Sequence, residues 1–110
     1  MDSRLLTGTL EMMVLEVVTA GPTYGYAISQ EVADRSKGLF ELKEGSLYPA
    51  LHRLARRKLL SASWKDADGR RRKYYRITAA GAKALAARKQ EWHQFAAGVS
   101  GVLGEAGGLA

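Results

Sequence analysis

Two stretches of this chain carry side chains able to grip a polyanion. One places His52, Arg53 and Arg56 in a helical segment that ends in Arg57 and Lys58; the other is the unbroken run Arg70-Arg71-Arg72-Lys73. A guanidinium can pair with O6 and N7 of guanine in a bidentate contact worth about 1 to 3 kcal/mol of base discrimination. Closely spaced cations hold phosphates whatever the sequence. Arg53 and His52 are therefore the best base-reading candidates, and Arg70, Arg71, Arg72 and Lys73 the candidates for phosphates or a narrow minor groove. Taken alone, a charge run is usually a solvated face, and Arg57 and Lys58 are equally well explained as end charges that complement a helix dipole.

The charge is localised. The 110 residues carry +6 overall, but residues 52–76 hold ten basic side chains against only Asp66 and Asp68, whereas residues 1–44 hold four basic against seven acidic. Other chemistry is poorly supplied. There is no cysteine, which removes disulfides, thiol catalysis and thiolate-bound zinc. His52 has no ligand partner at metal spacing, and no nucleophile motif, phosphate loop or placed carboxylate pair is present. No enzyme activity, cofactor or metal is expected. No apolar run reaches the roughly 20 residues that span a bilayer, and Glu11 and Glu16 interrupt the first apolar stretch, so no membrane association and a cytoplasmic location are expected.

The elements that must position the basic residues follow from periodicity. Leu6, Leu10, Met13, Val14, Val17 and Val18 recur at three and four, which predicts a first helix with Thr7 as N-cap and Gly21-Pro22 as stop. Thr23 precedes a second, shorter helix with Ile28 and Val32 on one face, ending at Lys37-Gly38. Ser46 is read as the cap of a third helix, about 46–58, with Leu47, Leu51, Leu54 and Ala55 inward and Pro49 tolerated in its first turn. That leaves Tyr48, Pro49, His52, Arg53 and Arg56 facing outward. From Leu60 the period becomes two, and Ala67-Asp68-Gly69 turns, giving a hairpin over about 61–77 with Trp64 and Tyr75 as core beneath it.

Thr78 caps a final helix over 79–103, whose apolar positions Leu85, Trp92, Phe95, Val99 and Val102 follow a seven-residue pattern, with Arg88 in a slot that should be apolar. A stripe this long on a small domain calls for a partner helix, and Leu5, Leu6, Leu10 and Met13 of the first helix are candidates to receive it, from the same chain or a second copy. Trp92 is also a candidate wall for a flat apolar or aromatic effector, though an aromatic at helical spacing is more often core. The tail, 104–110, reads as flexible. The fold expected is mainly α with a small β-hairpin: a winged helix-turn-helix domain over 1–78, then a C-terminal dimerisation helix.

In this order and spacing the segments Leu6-Thr7-Gly8-Thr9-Leu10, Tyr24-Gly25-Tyr26-Ala27-Ile28, Gly45-Ser46-Leu47-Tyr48-Pro49-Ala50-Leu51-His52-Arg53-Leu54, Arg72-Lys73-Tyr74-Tyr75 and Ile77-Thr78-Ala79-Ala80-Gly81 resemble those of PadR-family transcriptional regulators. The resemblance spans nearly the whole domain; its Gly-Ser-Leu-Tyr-Pro-Ala-Leu run is specific and the other segments are individually weak. The short length resembles the compact branch of the family. The resemblance implies a dimeric winged-helix repressor on double-stranded DNA, dimerised through its last helix, in a family where some members bind small aromatic or drug-like effectors between subunits. By motif match Tyr24, Ser46, Tyr48, Pro49 and His52 become DNA-contact candidates, and the basic hairpin becomes the wing. Lys58 departs from the family pattern, standing where a glycine usually ends the recognition helix, and Ala27 replaces a frequent glutamate. A protein-docking winged helix and a nonspecific nucleic-acid-coating protein are the rival readings.

Overall fold

The computed structural model describes residues 3–105, with side chains from residue 8 onward. Helix α1 runs Ser3–Val18, strand β1 Thr23–Tyr24, α2 Gly25–Arg35, α3 Glu44–Arg56, β2 Leu60–Ala67, β3 Arg70–Ile77 and α4 Ala79–Leu103. The three strands form one antiparallel sheet in the order β1-β3-β2. The core is built from Leu10, Val14, Leu15 and Val18 of α1, Ile28 and Val32 of α2, Leu47, Ala50, Leu51 and Leu54 of α3, with Leu60 and Tyr75 of the sheet and Leu85 of α4. Fully burying each large side chain of this kind contributes about 1.5 to 3 kcal/mol, so the helical spacing of the apolar residues is what docks α1 to α3.

Several local expectations are corrected. The chain is already helical at Ser3, so Thr7 lies inside α1 and does not cap it. Thr23 and Tyr24 form a strand against Tyr75 and Tyr74 before α2 begins at Gly25; two residues are too few to show alternation, so this edge left no periodic trace. Helix α3 starts two residues ahead of Ser46, on Lys43, without a side-chain cap. Pro49 therefore falls in the second turn, where the Gly45 carbonyl it cannot serve sits in an exposed stretch.

The departure at Lys58 is resolved by the backbone. Leu59 N–H donates to the Leu54 carbonyl at 2.9 Å and Lys58 N–H to that of Ala55 at 3.0 Å, the paired bonds of a Schellman cap. Lys58 itself adopts the left-handed conformation, φ +62°, that glycine ordinarily supplies. Helix α2 ends the same way, with Lys37 at φ +54°, Gly38 N–H on Ala33 O and Lys37 N–H on Asp34 O. Asp68 and Gly69, both at positive φ, make the two-residue turn between β2 and β3, the geometry that matches strand twist. At the start of α4 the Thr78 hydroxyl accepts from Gly81 N–H at 2.9 Å and donates to Lys58 O at 2.7 Å, tying the helix to the α3–β2 turn. A Cβ at position 81 would lie 2.0 Å from Leu59 O, so only glycine permits this approach. Tail residues 106–110, part of the expected flexible segment, lie outside the described residues; Gly104 closes α4 at φ +77°.

Candidate nucleic-acid interface

On α3 the buried residues Leu47, Ala50, Leu51 and Leu54 define one face. The exposed side presents Tyr48, His52 and Arg56 one turn apart, with Ser46 and Pro49 beside them. The hairpin rises next to this helix, and between them opens a groove of about 700 Å³ lined by Tyr24, Tyr26, Tyr48, His52, Trp64 and the run Arg70 to Lys73, with Tyr75 and Gly25 completing its wall. Residues from three separate segments thus converge: Tyr24 before α2, Tyr48 and His52 on α3, and the four cations of β3. Ser46, Pro49 and Arg56 are exposed on α3 but do not line the groove.

Gly25 sets one wall. A Cβ there would stand 3.0 Å from Cε1 and the hydroxyl of Tyr48, so the absent side chain lets the Tyr48 ring lie close against the start of α2. Tyr24 meets Tyr74 edge-on with centroids 5.4 Å apart, and the Arg72 guanidinium lies 4.6 Å over the Tyr24 ring. Burial pushes the Tyr75 phenol upward, and the nearby Tyr48 phenol adds to that.

Trp64 is corrected from core to groove. It is 55% exposed, with the Lys73 ammonium 5.8 Å and the Arg71 guanidinium 5.3 Å from its ring. In the register Ala62 faces Tyr75 and Trp64 faces Lys73, so alternation does put Trp64 and Tyr75 on one side of the sheet. Only Tyr75, however, is buried; at Trp64 the hairpin has outrun the helices beneath it. The signal was the cross-strand pairing: an aromatic set opposite and diagonal to two cations is a cation–π site on an exposed ribbon.

Arg53 takes a partner within the chain. It faces α1, where its Nε donates to Glu11 Oε2 at 3.0 Å; Arg88 Nη1 of α4 donates to Oε1 at 3.0 Å, and Arg57 Nη1 stands 3.5 Å from Oε1. Glu11 is only 5% exposed. Burial pushes its carboxyl upward, but hydrogen bonds from Arg53 and Arg88 and their positive charges outweigh that and hold it below its ordinary value. Arg53 is half-exposed but turned to Glu11 and does not line the groove, which its neighbour His52 does.

The candidates for a subunit contact divide. Leu10 and Leu85 are buried in the chain's own core and Met13 packs partly buried against it. Leu5 and Leu6 have side chains outside the described residues. Trp92, Phe95, Val99, Val102 and Leu103 are exposed, Phe95 at 60% and Val102 at 89%, along the last part of α4. Arg88 breaks the apolar pattern because it serves Glu11. A second, mostly apolar hollow of about 300 Å³ lies between α1, the end of α2 and α4, among Met12, Met13, Phe40 and Trp92. Among the described residues there is no group of His, Asp or Glu arranged to hold a metal, and no helix long and apolar enough to cross a membrane.

Comparison with known proteins agrees with this arrangement. Residues 14–87 match the model of the transcriptional regulator PadR-like family. The chain is similar to transcriptional regulator Rv3488 of Mycobacterium tuberculosis, at 32% identity over 84% of this chain and 83% of that one. Among solved structures it is similar to a transcriptional regulator from Clostridium thermocellum, with a TM-score of 0.82 and 28% identity over 91% of this chain and 95% of the other. A PadR family transcriptional regulator from Eggerthella lenta superposes with a TM-score of 0.79 at 35% identity, covering 91% and 86%.

Proposed function

This chain belongs to the PadR-like family of transcriptional regulators, and from that premise we propose that it is a homodimeric repressor reading an inverted-repeat operator. That it is a DNA-binding transcriptional regulator, and not an enzyme, follows from the family. The finer reading rests on one observation above all: Tyr24, Tyr48, His52 and the cations of β3 line a single groove between α3 and the wing. In this reading α3 enters the major groove with Tyr48, His52 and Arg56 leading, and Ser46 and Pro49 beside the backbone. Arg70, Arg71, Arg72 and Lys73 meet phosphates or the adjacent minor groove. Trp64 joins them as a contact.

The open stripe Trp92, Phe95, Val99 and Val102 supports a second copy as partner, because an apolar face of this length on an isolated domain is costly to leave in water. A two-fold dimer would present two α3 helices to successive major grooves about 34 to 36 Å apart. The hollow among Met12, Met13, Phe40 and Trp92 supports a small apolar or aromatic effector that releases the DNA.

The test is selection from a random double-stranded DNA pool with the purified protein at about 0.15 M salt, where unspecific contacts are weakened. Enrichment of an inverted repeat with half-sites about one turn apart is the expected outcome. No enrichment over the input pool would transfer the basic groove to an acidic protein partner or to sequence-independent nucleic acid.

A further inference from the structure

The Glu11 carboxylate is shared between two helices that the proposed function uses for different purposes. Its Oε2 is taken by Arg53 of α3, and its Oε1 by Arg88 of α4 with Arg57, the C-cap of α3, nearby. One anion thus faces three cations, and Arg53 and Arg88 each reach it with a hydrogen bond at 3.0 Å while the more exposed Arg57 stands at 3.5 Å. Along α3 the next residue from Arg53 is His52 of the groove, and along α4 Trp92, where the open apolar stripe begins, lies one turn beyond Arg88. A charge-assisted, two-oxygen link of this kind is directional, unlike the oily contacts around it, so it fixes an angle as well as a distance.

We propose that Glu11 is a positioning residue for DNA recognition: by binding α3 and α4 through one carboxylate it sets the angle between the reading helix and the dimerisation helix. It thereby sets the half-site spacing that the dimer accepts. This inference rests on the dimeric operator reading above. Arg88 is the informative residue to change, because it is the α4 end of the link, lies outside the groove, and leaves Arg53 and Arg57 on Glu11 when removed.

The experiment measures affinity by fluorescence anisotropy for the inverted-repeat operator recovered by selection with the wild-type protein. The panel adds versions with one or two base pairs inserted or removed between the half-sites, and an isolated half-site. The wild type should lose about tenfold for a single inserted base pair, which turns one half-site out of register. Arg88→Met, which keeps the packing of the side chain's stem, should lose less than about threefold across the same panel while its isolated half-site affinity stays within about twofold of wild type. An Arg88→Met profile as steep as wild type overturns the positioning role and leaves the link a stability element only. Loss of isolated half-site binding in a folded Arg88→Met protein overturns it too, since the residue would then act on the reading surface itself. If the methionine variant does not fold, Arg88→Gln removes the charge and keeps a polar end of similar reach: a flattened profile supports the role and an unchanged one overturns it. A wild type that binds the half-site but is indifferent to spacing removes the dimeric operator reading, and the inference with it.

Discussion

Arg53, Arg57 and Arg88 gather on one buried carboxylate, whereas Arg70, Arg71, Arg72 and Lys73 stand on the wing with no acid paired to them among the described side chains. Both clusters are basic, and each includes residues that a DNA-binding reading singles out, Arg53 on α3 and the four cations on β3. They differ in what neutralises them. The interior set shares one carboxylate, which hydrogen-bonds Arg53 and Arg88 and so fixes where they point; on the wing Arg71 and Lys73 lie by the Trp64 ring and Arg72 over Tyr24, faces that orient cations without cancelling them. Composition counts the two alike, so a basic residue on a recognition helix is not by itself a DNA contact.

The sharpest way to break this contrast is to remove the carboxylate. Glu11→Ala should cost about 3 kcal/mol in urea unfolding at fixed protein concentration, the low end for an orphaned buried ion pair because its guanidiniums stay partly wet. Arg71→Ala on the wing should change stability by less than about 0.5 kcal/mol. Similar losses for the two would erase the distinction between the clusters. Next in size is Arg53→Ala, expected to lower stability by about 1 kcal/mol while leaving base preference intact. Competition binding to operators altered base by base checks this, and a loss of about 1 to 3 kcal/mol at one position would return Arg53 to the DNA.

Smaller effects sharpen the wing side. Arg71→Ala and Lys73→Ala should each weaken specific and random DNA alike, lowering the slope of log affinity against log salt by about one; a base-dependent loss would give these residues a reading role. The smallest effect is on acid stability. The Glu11 carboxyl is held below its ordinary value of 4.5, and Glu16 is held down by its hydrogen bond from Lys89. Their stabilisation is therefore fully present above pH 4.5 and lost as pH falls through the lower folded values. Unfolding measured from pH 6 to pH 3 should show this limb, shallower in Glu11→Gln; identical limbs would assign the acid sensitivity to other carboxylates.

Local chemistry carried much of this structure into the sequence. Asp68-Gly69 can hardly be anything but a tight turn, Thr78 ahead of an apolar helix is a cap, and the inward leucines of α3 follow from their spacing. Contacts that depend on distant chain were not legible. Arg53 lies on the flank between the apolar and polar faces of α3, and which way it turns is decided by a glutamate 42 residues earlier. Trp64 and Tyr75 share a side of the hairpin, but how far the helices extend beneath that side is a tertiary fact. The strand at Thr23 and Tyr24 exists only because β3 arrives 50 residues later to pair with it.

The left-handed lysines at the ends of α2 and α3 point to a route for making this domain hardier. Lys37 and Lys58 each occupy a backbone state that disfavours any L side chain by about 1 to 2 kcal/mol. Both are exposed, and neither side chain lines the groove or makes an ion pair among those described. Replacing them with glycine relieves that strain at the expense of some unfolded-state entropy. For a chain of this size a net gain of about 1 kcal/mol would raise the melting midpoint by roughly 4 to 8 °C. The two helix ends thus offer thermal headroom away from the surface proposed to meet DNA.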